Sequence, residues 1–492
     1  MLFLIAIVFL ALAVMAVTIW GPEVGIWAFV FALYANVPGI ATQVYGVSQA
    51  FAACFAFILV PTLAYSLSIR NERVVIDLTF VLMLVFLAVM LMSSLVAVDS
   101  QIALGGILEY GFEGLLIYFF TINVIRDLGV LKRVIWALLL TGGLLASLTV
   151  YQDLTGNYDT SFGGLSQRHT EYWETKQTNE TKQQGLRSRT TWERADRADG
   201  PTGDPNRYAQ IMLVLVPLAV FMFWREKSSR ARKILAGLSG VLISWTVLLT
   251  YSRGAFLAVV LLIGVLVSMR YIRIRQVAIG LAAAALLAAV LAPGYYERVQ
   301  TIFNVENLVS GPVFSELQEV DAPTRGRLTE MLAALHVFMD HPILGVGPDQ
   351  YIPFYSQEAM LNPETAFRDI DTTRAAHTLY LQLAAEMGVF GIAVYIIIFI
   401  NVLYRLLLER RRWIATQPEL SHLITALFCS IVAYLLTGIF LHFNYQRYYW
   451  FMLALAGATI QILKVEHKKE TIRVANLQTQ PAYARENLEG QS

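Results

Sequence analysis

Charge is scarce in this sequence, and so is cysteine. Only 15% of the 492 residues are charged, whereas 57% are hydrophobic and the mean hydropathy is +0.56. Soluble domains are about one quarter charged, so this composition indicates a polytopic membrane protein. The net charge of +1 excludes an overall field that would attract nucleic acid. The two cysteines, Cys54 and Cys429, lie inside apolar runs, which argues against a disulfide framework or a zinc site.

Long apolar runs fill most of the chain. Runs of about 17–25 apolar residues cross a bilayer as helices. The clear runs are 2–19, 48–69, 77–97, 106–125, 132–151, 207–224, 234–250, 254–270, 276–293, 377–404, 421–441 and 446–463. A shorter piece at 23–37 is ambiguous, so we predict an all-α polytopic membrane protein with about 12, or 13, transmembrane helices. The first run lacks a basic leader and a cleavage site, so it is predicted to be a retained span rather than a signal peptide.

Lysine and arginine mark every second connection between the spans. The basic residues of this set are Arg70, Arg73, Arg126, Lys132, Arg133, Arg225, Lys227, Arg230, Arg232, Lys233, Arg270, Arg273, Arg275, Arg405, Arg410, Arg411, Arg412, Lys464, Lys468 and Lys469. Because short basic loops stay in the cytoplasm, this set defines the cytoplasmic side. Thirteen spans would leave the N-terminus outside, and twelve, with 23–37 re-entrant, would put it inside.

Two long polar loops then lie on the outer side. The predicted order is N-terminal spans to 151, a polar loop 152–206, central spans 207–293, a large loop 294–376, C-terminal spans 377–463 and a cytoplasmic tail 464–492. Loops longer than about 15 residues are uncommon unless they are functional or disordered. The larger loop includes Leu328 to Phe338, whose periodicity predicts an amphipathic helix that Pro342 ends. We therefore expect a large, partly helical periplasmic loop.

Three basic elements on this outer side are candidates for chemistry. Arg253 lies in T-Y-S-R-G-A, a tight turn between two spans, and Arg325 and Arg327 precede the amphipathic helix. An arginine on the outer side runs against the positive-inside trend, which favours a function over simple snorkelling. His377 follows at the entrance of a span. A lone histidine there is more often an interface residue, and Glu386, nine residues on, is out of helical phase with it.

Other features of the large loop need no ligand. The closing G-V-G follows no strand and lacks the rest of a nucleotide-binding fingerprint, so we interpret it as a tight turn. His336 and His341 are five residues apart and do not share a helical face as metal ligands would, so both are interpreted as structural. We predict no metal site and no cofactor.

Arginines beside a histidine at an outer membrane surface suit one reaction. Arginine binds phosphate oxygens bidentately and keeps its charge, and histidine can accept a proton from a hydroxyl. A glycan carried on a lipid pyrophosphate requires charge neutralisation on its leaving group and deprotonation of the acceptor. Arginines can stabilise phosphate charge in place of a metal.

Four elements in order resemble the superfamily of O-antigen ligases and O-antigen polymerases. They are G-P-T-G-D-P-N-R-Y-A at 200–209, T-Y-S-R-G-A at 250–255, R-L-T-E-M-L-A-A-L-H-V-F-M-D-H-P-I-L-G-V-G at 327–347 and A-H-T-L-Y-L-Q-L-A-A-E-M-G-V-F-G at 376–391. One departure is Thr378, where the family commonly has asparagine after the histidine. The loop 152–206 is longer than expected for the family, and it would contact a glycan or be disordered.

The resemblance implies a metal-independent, inverting glycosyltransferase of the bacterial inner membrane. Its donor would be a glycan on undecaprenyl pyrophosphate and its acceptor a glycan or lipid hydroxyl, at the periplasmic face. The catalytic residues would be His377, Arg253 and Arg327. Arg253, Arg327, Arg325 and Asn206 would bind the pyrophosphate or the glycan, and His377 would act as general base or as a further pyrophosphate partner.

Four alternatives remain open from the sequence. A ligase passes the glycan to an acceptor such as lipid A–core, and a polymerase of the same superfamily extends the lipid-linked chain. The motifs are shared by both, and we favour the ligase. A transporter of lipid-linked glycans is the alternative from another class, but it predicts ionisable residues in the middle of spans, and the apolar runs carry almost none. In a non-catalytic scaffold, the arginine–histidine set would be incidental.

Overall fold

A computed structural model describes residues 23–47, 54–182, 185–225, 229–273, 275–278, 322–361, 373–441 and 446–479. The predicted span at 2–19 and nearly all of the span at 276–293 lie outside these residues. The described part is mostly helical. Its helices are α1 (Glu23–Tyr34), α2 (Val37–Gln43), α3 (Val60–Ser68), α4 (Leu78–Ser93), α5 (Ser100–Glu109), α6 (Ile117–Val124), α7 (Leu128–Thr155), α8 (Pro205–Arg225), α9 (Arg230–Leu249), α10 (Arg253–Ser268), α11 (Ala322–Asp340), α12 (Ser356–Leu361), α13 (Leu379–Trp413), α14 (Pro418–Thr437) and α15 (Gln446–Thr479).

Eight helical segments within the described residues are long and apolar enough to cross a membrane. They are Leu78–Val96, Ser100–Val124, Leu128–Thr155, Pro205–Arg225, Arg230–Leu249, Leu379–Trp413, Pro418–Thr437 and Arg447–Ile472. The ambiguous piece at 23–37 corresponds to α1 and α2, which meet at a bend of 51° and together would make a ninth. Two shorter apolar helices, Phe55–Ser68 and Arg253–Ser268, also match predicted spans. A multi-pass membrane protein is therefore confirmed, and the count of 12 or 13 stays a prediction.

Short polar side chains begin several of these helices. Asp77, Asp127 and Ser252 stand directly before α4, α7 and α10, and each accepts a hydrogen bond from a backbone N–H of the first turn. Such caps satisfy donors that have no partner within the helix. The core between the helices is rich in aromatic residues. Trp450 of α15 is fully buried and stacks its neighbours Tyr395 and Tyr110 edge-on.

A two-stranded ribbon departs from the predicted all-α class. Strands β1 (Gln167–Lys182) and β2 (Gly185–Gly200) pair antiparallel, with Gln167 opposite Gly200 and Lys182 opposite Gly185. The sequence analysis placed only a polar loop here, and that was wrong about its local structure. The stretch is rich in threonine, tyrosine and tryptophan, which favour strands, but it lacks the apolar alternation that marks a half-buried strand.

Arg168 fixes the base of the ribbon to the end of α7. Its Nη2 donates to the carbonyl of Thr149 at 2.9 Å, its Nε donates to Oε1 of Gln152 at 3.3 Å, and its guanidinium lies over the ring of Tyr158. Burial lowers the pKa of the Arg168 guanidinium, and nearby Asp153 opposes that shift. The start of β1 is thereby held against the membrane helices.

Helix α11 confirms the predicted amphipathic helix and its end before Pro342. The chain that follows lies along α13 at a break in that helix. Val389 donates to the carbonyl of Pro342 at 2.8 Å, and Val346 donates to the carbonyl of Ala385 at 3.0 Å. The break is at Gly388, whose φ of 64° and ψ of −165° are not helical. The long α13 is therefore divided into a short first part that contacts the loop and a long second part.

The two glycines of G-V-G make this contact close. Gly345 and Gly347 have φ of 70° and 104°, which only glycine adopts without strain. A Cβ on Gly345 would overlap the backbone of Glu386, and a Cβ on Gly388 would overlap the backbone of Ile343. The motif therefore has a packing role in the structure, in agreement with the interpretation that it needs no ligand.

Candidate functional site

Arg253 lies where the sequence places it, at a tight turn between two spans. Helix α9 ends at Leu249 and α10 begins at Arg253 itself, with Tyr251 in the left-handed region at φ 50°. The Arg253 residue is only 8% exposed. Burial raises the pKa of the neighbouring Tyr251 phenol, and the nearby Asp153 and Tyr158 add to that effect. The turn therefore places the buried Arg253 guanidinium close in the chain to the Tyr251 phenol, which stays protonated.

Arg197, near the end of β2, is a site residue that the sequence analysis missed. Its Nε donates to the carbonyl of Thr250 at 2.8 Å, and its Nη2 donates to Oδ1 of Asn206 at 3.1 Å. Arg197 is 5% exposed. It therefore joins the end of the ribbon, the start of α8 and the Arg253 turn. No signal in the sequence distinguishes it from the other arginines of 187–197.

Arg207, the next residue after Asn206, is a second missed cation. It lies in the first turn of α8, is 2% exposed and donates from Nη1 to Oε1 of Gln210 at 2.9 Å. Gln210 in turn donates to Oγ1 of Thr437 at 2.7 Å. A buried arginine inside an apolar span is expensive and marks a functional site. Its position within the predicted run 207–224 was the signal that could have identified it.

His377 stands before α13 rather than within it. Its φ is 48°, and the helix begins two residues later at Leu379, whose N–H donates to the carbonyl of Gly438 at 2.9 Å. Counting helical phase from His377, as the sequence analysis does, was therefore not valid. Histidine tolerates the left-handed region better than most residues, and such conformations concentrate at functional sites.

Glu330 of α11 forms an ion pair with the histidine. The Nε2 of His377 lies 3.4 Å from Oε2 of Glu330, and the Nη1 of Arg374 lies 3.9 Å from Oε1 of the same carboxylate. Glu330 is 2% exposed. The sequence analysis considered only Glu386, whose Oε1 instead accepts a hydrogen bond from Nε2 of Gln382 at 3.2 Å. Glu330 was missed because it is close in space but distant in the chain.

The segment Gly438–Phe440, after α14, contacts chain neighbours of two predicted residues, His377 and Arg253. The carbonyl of Gly438 binds Leu379, two residues after His377. A Cβ built on Gly254 would lie 3.0 Å from Cβ of Phe440, so the residue after Arg253 packs against the same segment. Arg327 is half-buried on α11, one turn before Glu330. The side chain of Arg325, also in α11, lies outside what the structure describes.

The side chains of this site are of types that can bind anions and transfer protons. Arg197, Arg207 and Arg253 are buried guanidinium groups, which suit phosphate oxygens. His377 supplies an imidazole at the same end of the helices. Within the described ranges, no group of three or more histidine, cysteine, aspartate or glutamate side chains could hold a metal ion.

Comparison with known families agrees with this site. Residues 238–396 match the family model for O-antigen ligase. This match supports the resemblance to the O-antigen ligase and polymerase superfamily. The matched segment includes Arg253, Arg327, Glu330 and His377, whereas the ribbon and Arg207 precede it. Members of the family are ligases and polymerases of the glycosyltransferase type, which supports an enzymatic role. No curated protein matches the chain.

Proposed function

We propose that this protein is an O-antigen ligase-like glycosyltransferase of the bacterial inner membrane. It would move a glycan from undecaprenyl pyrophosphate to an acceptor hydroxyl at the periplasmic face, with inversion. One observation carries the proposal: the Arg253 turn and the His377 entrance pack against the same short segment, Gly438–Phe440. The match to the O-antigen ligase family model supports a substrate of this class.

The roles follow from the chemistry of each side chain. Arg253 and Arg327, with Asn206 and Arg325 nearby in the motifs, would bind the pyrophosphate or the first sugars. His377 would accept the proton of the acceptor hydroxyl. The acceptor oxygen would bond to the anomeric carbon from the face opposite the pyrophosphate, and the bond from that carbon to the pyrophosphate oxygen would break. The arginines would stabilise the charge that develops on this leaving group.

The periplasmic orientation is supported by the distribution of arginines along one helix. His377 stands at the start of α13, and the exposed Arg411 and Arg412 lie near its end. Residues 389–413, after the break at Gly388, form a helix about 37 Å long, enough to cross a bilayer, so Arg411 and Arg412 lie at the far end of the membrane region from that break. Exposed arginines next to a span are typical of the cytoplasmic side.

A polymerase would use the same site with a different acceptor. Its acceptor hydroxyl would belong to a second lipid-linked glycan. The product that accumulates in a deletion strain separates the two functions: long chains on undecaprenyl pyrophosphate indicate a missing ligase, and single repeat units indicate a missing polymerase.

One observation favours the transporter alternative more than the sequence did. Glu113, inside the candidate span Ser100–Val124, forms a buried ion pair with Arg447, and Nη1 of the arginine lies 3.1 Å from Oε1 of the glutamate. Ionisable residues within spans are typical of transport pathways. The argument from absent mid-span charge is therefore weaker than the sequence indicated. A buried, paired glutamate is also compatible with a structural role.

The test is an assay in detergent, where there is no membrane to cross. The purified protein is mixed with lipid-linked glycan and acceptor extracted from the source membranes, and released undecaprenyl pyrophosphate is measured by mass spectrometry. We expect Arg253→Ala, Arg327→Ala and His377→Ala to abolish release. Arg411→Ala, at the other end of α13, should match the wild type. A transporter would release nothing even as wild type, and full release by all three variants would contradict the catalytic assignment.

A further inference from the structure

We infer that Glu330 is the positioning residue of His377. This inference rests on the proposed function and deepens it. The sequence provides no hint of the pair, because α11 and the His377 entrance are separated by the rest of the loop.

The contact itself assigns the two ring nitrogens. Oε2 of Glu330 lies 3.4 Å from Nε2 of His377, so the carboxylate is placed to accept a hydrogen bond from that nitrogen. In a neutral imidazole the other nitrogen, Nδ1, then carries the lone pair. A carboxylate behind a catalytic histidine fixes both the tautomer and the ring orientation.

Both partners are held by separate parts of the structure. The Tyr351 hydroxyl donates to the backbone carbonyl of Glu330 at 3.3 Å. The chain after α11 is fixed by backbone bonds to α13, and His377 is fixed by the Leu379 bond to Gly438. The backbone near each partner is thus anchored by bonds other than the contact between Glu330 and His377.

The charges also fit a proton-accepting histidine. When the acceptor oxygen bonds to the anomeric carbon, its proton passes to the His377 ring, which becomes an imidazolium. Glu330 is 2% exposed, and a buried carboxylate beside the ring stabilises that positive charge. Arg374, 3.9 Å from the other carboxylate oxygen, favours the ionised form of Glu330. The backbone N–H of Arg374 is bound to Oγ of Ser356 at 3.2 Å, which keeps this residue near the pair.

The experiment compares four substitutions in the detergent assay. Glu330→Gln keeps the shape and removes the charge, Glu330→Ala opens a space, and Glu330→Asp shortens the side chain. Glu409→Gln is the matched control, because Glu409 is also a buried carboxylate paired with an arginine, Arg412, but lies at the other end of α13. Gel filtration and thermal melting report whether each variant is folded.

We expect Glu330→Gln to lower kcat about 100-fold, within the range of a positioned general base, and to change the apparent KM for extracted lipid-linked glycan less than threefold. Glu330→Ala should lose a similar factor, and formate, which can enter the vacated space, should restore kcat at least tenfold. Glu330→Asp should retain more activity than Glu330→Gln. Glu409→Gln should keep the wild-type kcat.

Clear results would overturn the inference. A kcat for Glu330→Gln within threefold of wild type shows that the carboxylate is not needed. If Glu330→Gln does not fold, the other two variants decide. A folded Glu330→Ala that formate does not rescue, or a folded Glu330→Asp that is inactive, would also contradict the positioning role. His377→Ala separates the two claims. An active His377→Ala contradicts the proposed function, whereas an inactive His377→Ala beside a fully active Glu330→Gln contradicts only the positioning role.

Discussion

Arginines are exposed at one end of the helical region and buried at the other. At the end with α13's C-terminus, Arg411 is exposed and the Arg412 side chain is 52% exposed. At the end with the Arg253 turn, Arg197, Arg207 and Arg253 are 5%, 2% and 8% exposed. An exposed guanidinium is solvated by water and by lipid head groups, so it requires nothing from the protein. A buried one has lost that solvation, and its retention indicates a role that an apolar residue could not fill.

The largest expected effect comes from replacing one buried and one exposed arginine with lysine, at opposite ends of the helical region. Arg253→Lys keeps the charge but loses the planar group that binds two phosphate oxygens. We expect release of undecaprenyl pyrophosphate to fall about 100-fold, from the roughly 3 kcal/mol of a hydrogen bond to a charged group. Arg411→Lys should have no effect. Equal activity of the two variants would show that burial of the arginine carries no functional information.

A glycine substitution tests how firmly the loop is fixed at the buried end. Gly345→Ala combines a left-handed φ with overlap against the backbone of Glu386. We expect it to lower the free energy of unfolding by about 3 kcal/mol, which thermal melting in detergent would detect. Gly46→Ala is the matched control, since Gly46 has a similar φ of 65° but nothing lies within 4 Å of its Cβ position.

Gly46→Ala should cost about 1 kcal/mol, the strain of the left-handed backbone alone. The difference between the two variants measures the close contact of the loop with α13. If both lose the same stability, that contact contributes nothing, and another feature must position α11.

The smallest expected effect concerns a single hydroxyl. Ser93, at the end of α4, points its Oγ at the carbonyls of Leu344 and Glu386, at 2.6 and 2.8 Å. Ser93→Ala should cost about 1–2 kcal/mol, because two buried carbonyls lose a donor. The adjacent Ser94 is half-buried, and its hydroxyl donates to the carbonyl of Leu91 in an exposed hydrogen bond, so Ser94→Ala should stay within about 0.5 kcal/mol of wild type. A larger loss for Ser94 than for Ser93 would contradict this account.

The sequence predicted the helices better than the site. Apolar runs, the α11 periodicity and the Arg253 turn are local patterns, and the described structure contains each of them. The pair of Glu330 with His377 depends on the tertiary path of the loop, which no local pattern records. Arg197 was hidden among neighbouring arginines, and the ribbon lacked an apolar face that would have marked its strands. Arg207 was visible as a charge inside an apolar run, but only the structure shows that it is buried.

The hydrogen bond from Leu379 to Gly438 has a consequence for biosynthesis. The Gly438 carbonyl is synthesised only after α13 and α14. The hydrogen bond between Ser93 and Leu344, by contrast, joins two residues that both precede α13 in the chain. The His377 entrance therefore acquires its final anchor only when the last hairpin of helices has inserted. A nascent chain that ends before Gly438 would therefore contain Arg253 and His377 without the hydrogen bond that anchors the His377 entrance.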